Sequence, residues 1–201
     1  MSIKTLTHVD PFDSARERGS AGIFGMWVFI AVVGMVFAAA ILGYLVVRFD
    51  RPPGAEWVPE GAPGFPPALL LSTAVLLVSS WTMQAAVRAA REGRSRRIVH
   101  DLGITLALAV LFLAIQALAW SELWRAATIG SGLWAWTFYV LTGLHALHVL
   151  GGLPPLWITL RQAQAGRYGP DDHAGVVRCA MYWHALDVIW VVTYLALLAF
   201  S

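Results

Sequence analysis

The sequence predicts an all-α polytopic membrane protein: a bundle of five transmembrane helices with its N-terminus in the cytoplasm and its C-terminus outside. Three observations carry that prediction. Of 201 residues, 58% are hydrophobic and only 13% charged, against roughly 45–50% and 25% in an ordinary soluble domain. Five stretches, 22–47, 65–87, 102–121, 126–160 and 179–200, hold between them a single fully charged side chain, Asp187. The 14 Lys and Arg residues fall very unevenly between alternate connections. A disordered chain would show the opposite composition.

A helix crosses the roughly 30 Å hydrocarbon core with about 20 apolar residues. The first span, about 22–47, runs from Gly22 to Arg48 behind a cytoplasmic segment 1–21. It is too long for the roughly 7–15-residue core of a cleavable signal, and Asp10, Asp13 and Glu17 precede it, so it is expected to stay in the mature protein. The second, about 66–87, follows a loop punctuated by prolines and glycines from Pro52 to Pro67. The third, about 102–121, begins after Asp101 and leaves near Trp120. The fourth, about 131–156, stays apolar to Leu160, so it tilts or projects beyond the lipid, with a kink expected at Pro154-Pro155. The fifth is about 180–200, and residues 22–201 form one transmembrane domain. The period-two alternation of a membrane barrel is missing.

Orientation follows from basic residues. With the N-terminus inside, Lys4, Arg16, Arg18, Arg88, Arg91, Arg94, Arg96, Arg97, Arg161, Arg167 and Arg178 lie inside, while Arg48, Arg51 and Arg125 lie outside. That is a firm positive-inside pattern. It also accounts for the net charge of +2 without nucleic acid as a partner. The run from Arg88 to Arg97 has a second use as a contact for anionic lipid head groups. One cysteine, Cys179, is too few for an internal disulfide or a thiolate metal centre.

Ionisable groups are costly in lipid and usually face a bundle interior. Here they are His145 and His148 on the fourth span, and His184 and Asp187 on the fifth. Spacing of three puts each pair on one helix face. At 1.5 Å per residue the pairs lie at matching depths, roughly 5–12 Å from the inner boundary. If the two helices are neighbours, His148 is expected to approach His184, and His145 to approach Asp187. The favoured reading is an interhelical hydrogen-bonded cluster. Open beside it stand a four-ligand metal site, a haem held by two histidines and a proton pathway through Asp187. Gln116, Thr142 and Gln84 read as hydrogen-bonding packers; Ser79-Ser80, Thr82, Gly143, Gly151 and Gly152 read as small residues that let helices approach. Trp57, Trp81, Trp120, Trp124, Trp134 and Trp183 fall near span ends, as an interfacial belt would.

The last two spans carry motifs. Thr142-Gly143-Leu144-His145-Ala146-Leu147-His148-Val149 resembles the T-G-x-H-x-x-H-V signature of subunit III of haem–copper terminal oxidases (cytochrome c oxidases). Tyr182-Trp183-His184-Ala185-Leu186-Asp187-Val188-Ile189-Trp190 resembles that family's Y-W-H-x-x-D-x-x-W run. Gly25 to Ile30, Ser72-Thr73 with Ser79 to Thr82, and Phe112 to Gln116 resemble its other helices, in the family's order. The resemblance implies a five-helix bacterial form without haem, copper or catalytic residues of its own, in the cytoplasmic (inner) membrane. It implies packing against subunit I, which with its partners holds the haem and copper, as well as bound phospholipid and support of stability and proton uptake. The implied reaction of the whole complex is oxygen reduction by cytochrome c coupled to proton translocation. Similar five-helix proteins accompany quinol oxidases and nitric oxide reductases. Two departures stand out: Val32-Val33 replaces a Ser-Glu pair, and Gln116-Ala117-Leu118-Ala119 replaces Q-x-x-E, so two family carboxylates are missing.

Overall fold

The computed structural model describes residues 15–50, 57, 68–126 and 132–199. They form five helices: α1 (Ala15–Phe49), α2 (Ala68–Arg91), α3 (Ser95–Ala126), α4 (Leu133–Gln164) and α5 (Ala174–Ala199). Each contains a stretch long and apolar enough to cross a membrane. The proline-rich loop, apart from Trp57, lies outside the described residues.

The helices outrun their apolar stretches mainly at one end of the molecule. α1 begins at Ala15, α3 at Ser95 and α5 at Ala174, while α4 continues through Pro154-Pro155 to Gln164. Apolar composition marks where lipid ends, whereas the backbone ladder continues until a cap stops it. The caps at that end are of one kind. Gly93 (φ 69°) follows α2, where Arg94 N–H donates to Ala89 O at 2.9 Å. Gly166 (φ 69°) follows α4, where Arg167 N–H donates to Gln162 O at 3.1 Å. A left-handed residue is what this closure requires, and glycine adopts it freely.

Helices α2, α3, α4 and α5 form a closed ring in that order, with the α2–α3 hairpin the most extensive contact. α1 lies outside the ring, chiefly against α5 and α4, and inserts Val33, Phe37 and Tyr44 while Phe24, Trp27 and Met35 stay exposed. The interior is built from large side chains, among them Phe37, Phe112, Phe138, Trp183 and Trp190, each under 2% exposed or at that level. Lipid tails are as apolar as leucine, so these contacts hold by packing and hydrogen bonds rather than by escape from water. That makes the polar residues of the spans decisive.

Candidate functional site

Helices α2 and α5 run antiparallel and are joined by a ladder of side-chain bonds. Near one end Trp190 Nε1–H donates to Thr73 Oγ1 at 2.9 Å. Two turns on, Trp183 Nε1–H donates to Ser79 Oγ at 2.7 Å. Beside it His184 Nδ1 lies 2.7 Å from Ser80 Oγ, and His184 Nε2 lies 3.2 Å from Gln84 Oε1. One neutral tautomer satisfies both: Nε2–H donates to Gln84, and Nδ1 accepts the Ser80 hydroxyl proton. Asp187 is buried one turn away on the same face, with Oδ2 3.7 Å from His184 Nδ1. Its oxygens have no hydrogen-bond partner among the described residues.

The α4 histidines turn elsewhere. His148 Nδ1–H donates to the Leu144 carbonyl one turn back, at 2.8 Å, and its ring lies 5.1 Å from that of Phe37. His145 is fully buried and enclosed by aromatic rings, with centroids 4.7 Å from Trp190, 5.7 Å from Phe112 and 6.2 Å from Phe37. Both its nitrogens lack hydrogen-bond partners among the described residues, as does the buried Gln116 amide. α4 meets α5 instead through Tyr182, whose hydroxyl donates to the His148 carbonyl at 2.9 Å. Gly152 makes room for this: a Cβ there would sit 2.9 Å from Tyr182 Cε1 and 3.4 Å from Trp183 Cζ3. α4 meets α3 through Trp120 Nε1–H, which donates to Thr142 Oγ1 at 3.0 Å.

The pairing expected across α4 and α5 is therefore corrected. His184 takes Ser80 and Gln84 rather than His148, and His145 takes Trp190 rather than Asp187. Rise along each axis gives depth, but rotation about the axis decides the partner. Successive residues turn by about 100°, so with Tyr182 facing α4, His184 is carried round to α2. The four side chains do not assemble as metal ligands, and no group of three or more His, Cys, Asp or Glu does so among the described residues. Of the tryptophans expected in an interfacial belt, Trp57, Trp134 and Trp183 are buried, whereas Trp81 (68%) and Trp124 (51%) are exposed. Gly143 needs no special room, since a Cβ would be 3.9 Å from Trp120.

A cleft of about 560 Å³ opens between α1, α4 and α5. Its walls are apolar, with Phe29, Leu147 and Ile158, and polar groups gather where the helices project: Tyr168, Arg178 and Gln162. Arg178 has no ion-pair partner among the described residues. Tyr168, in the α4–α5 connection, donates its hydroxyl to Gln162 Oε1. Burial raises the Tyr168 phenol above its ordinary value, which keeps the donor proton in place. In the sequence Arg178 reads only as a topology residue and Tyr168 carries no signal, because nothing local to either announces a cleft formed by three separate helices.

Residues 16–201 match the family described as cytochrome c oxidase subunit III. The chain belongs to that family. It is 34% identical over 177 residues to cytochrome c oxidase subunit 3 of Synechocystis sp., an alignment covering 86% of this chain and 73% of that one. It is 31% identical over 178 residues to the protein of the same description from Gallus gallus, covering 87% and 67%. With the protein from Danio rerio it shares 35% identity over 146 residues, covering 72% and 55%. The five-helix bundle is thus subunit III of a haem–copper oxidase, a multi-pass membrane protein within a multi-subunit complex. The two motifs that carry the resemblance are the segments that lock α5 onto α2 and wrap His145 in rings.

Proposed function

We propose that this subunit III serves its oxidase as a scaffold without a redox centre of its own. It packs against subunit I in the bacterial cytoplasmic membrane, N-terminus inside, and holds phospholipid in the cleft between α1, α4 and α5. The observation that carries this reading is where the signature side chains are spent. Trp183, Trp190 and His184 bond to side chains of α2, His148 bonds to a carbonyl of its own helix, and His145 is closed in by three aromatic rings. Haem and copper belong in this reading to the partner catalytic subunits, which carry electrons from cytochrome c to oxygen while protons are translocated. The cleft supports the lipid assignment: apolar walls suit acyl chains, and the Arg178 guanidinium suits a phosphate at their head. Support of proton uptake then comes through the packed lipid and the stability of the assembly, since Asp187 is the single acid along the spans.

The test compares the oxidase complex with and without this chain. Removal is expected to leave the haem absorption spectrum and starting oxygen consumption unchanged while shortening the active lifetime. A lost or shifted haem band on removal would sink the reading. Arg178→Gln in the intact complex should release lipid without altering the spectrum.

A further inference from the structure

The α2–α3 end of the bundle holds a second recess, of about 440 Å³, on a different face from the α1/α4/α5 cleft. We infer that it is a phosphodiester site for an anionic phospholipid, with Arg88 and Arg97 as its principal donors. Four basic side chains line it from three elements, Arg88 on α2, Arg94 in the turn, and Arg97 and His100 on α3, together with two carboxylates, Glu92 and Asp101. The left-handed Gly93 folds the chain back so that they line one recess.

Charge at this end is unbalanced. From Arg88 to Asp101, five arginines meet two carboxylates. Glu92 is taken by Arg94 Nε at 3.0 Å, and Asp101 by His100 at 3.0 Å, with Arg97 at 3.9 Å. Arg88 has no ion-pair partner among the described residues. Helix α3 starts at Ser95 with no acidic residue in its first turn, so its positive end faces the same arginines. Cations beside a helix N-terminus are unfavourable unless an anion lies between them. Three arginines against two carboxylates leave the recess one positive charge, which a bound phosphate would balance.

The recess continues below the arginines along an apolar strip. Trp81, Ala85 and Ile104 line it, and Trp81 lies seven residues before Arg88 on the same side of α2, roughly 10 Å along the axis. An exposed indole at that depth suits the boundary between head group and acyl chain. A free phosphate would use the arginines but not this strip. The net positive lining favours an anionic head group over a zwitterionic one.

The test uses the oxidase complex in nanodiscs of phosphatidylcholine with a minor share of phosphatidylglycerol, with retained lipid counted by mass spectrometry. Arg88→Gln with Arg97→Gln should lower phosphatidylglycerol retention about tenfold, while Arg91→Gln with Arg96→Gln, the same change in charge outside the recess, should change it less than about twofold. Equal losses from both pairs would reveal diffuse surface attraction and overturn the site, as would no loss from either. Displacement of the lipid by inorganic phosphate alone would overturn a lipid ligand. Loss of a neighbouring subunit with the lipid count intact would assign the arginines to a protein contact and likewise defeat the proposal. Arg97 pairs with Asp101 only loosely, at 3.9 Å, so the Arg88/Arg97 variant should melt in lipid-free detergent at the same temperature as the Arg91/Arg96 variant, which separates lost binding from lost folding.

Discussion

His145 and Trp190 face one another across the α4–α5 interface, ring centroids 4.7 Å apart and inclined by 38°. The indole of the same Trp190 donates to Thr73 on α2. One tryptophan thereby ties the histidine-bearing helix to the second helix of the bundle. An imidazole held only by rings gives up its two hydrogen bonds, so shape rather than polarity fixes α4 here.

The ladder between α2 and α5 predicts an order of sensitivity. Ser79→Ala leaves the buried Trp183 N–H without its acceptor and should destabilise the bundle by about 1–2 kcal/mol. Ser80→Ala should cost less, because His184 keeps Gln84. Thermal or denaturant unfolding of the purified complex, following dissociation of this subunit, checks the ranking. Equal effects would mean that the Trp183 bond contributes little.

Two glycines of α4 should behave differently. Gly152→Ala drives a methyl into the Tyr182 and Trp183 rings, both confined by their own hydrogen bonds, and overpacking of that kind costs about 1–3 kcal/mol. Gly143→Ala meets only ordinary contact at 3.9 Å, and helix propensity favours the alanine. Gly143→Ala should therefore be neutral or stabilising. Assembly yield and melting temperature of the two variants decide it, and a Gly143→Ala loss as large as that of Gly152→Ala would show that the contacts are misjudged.

Asp187 lies 3.7 Å from His184, beyond hydrogen-bond range. Asp187→Asn preserves shape and should leave assembly, oxidase spectrum and stability within about 0.5 kcal/mol of the parent. Asp187→Arg, which puts a long cation into a position 5% exposed, should prevent incorporation into the complex. If Asp187→Asn alone abolished turnover in intact complex, Asp187 would be handling protons rather than packing.

The two positions at which the resemblance implies carboxylates are both packed. Val33 is 5% exposed in the α1 contact, and Ala119 is fully buried on α3. Restoring an acid by Val33→Glu is expected to cost several kcal/mol, since a buried carboxyl without a designed partner must be desolvated. Reduced yield of assembled complex, with a normal haem spectrum in what assembles, is the expected readout. A fully stable Val33→Glu complex would show that water or a partner chain reaches the site.

Much of the architecture could be read without coordinates, because bilayer thickness constrains helix length so strongly. Five apolar stretches with one charged side chain between them had to become five helices, and the wrong element could not satisfy its backbone in lipid. The helix ends were less legible: α3 begins seven residues before the expected span, at Ser95 rather than 102, because a glycine cap rather than the lipid boundary sets the turn. The signature residues were visible as types and depths, yet their partners were not.

The amino-acid order by itself determined the number of spans, their depth and the polar residues within them, since these depend on local composition and on the rise of one helix. Only the folded bundle decided that His184 serves α2, that His145 sits among rings, and that Arg88 and Arg97 line one recess. Each of those depends on how far a helix is rotated about its own axis. That rotation is set by all its neighbours at once, through packing that no single segment encodes.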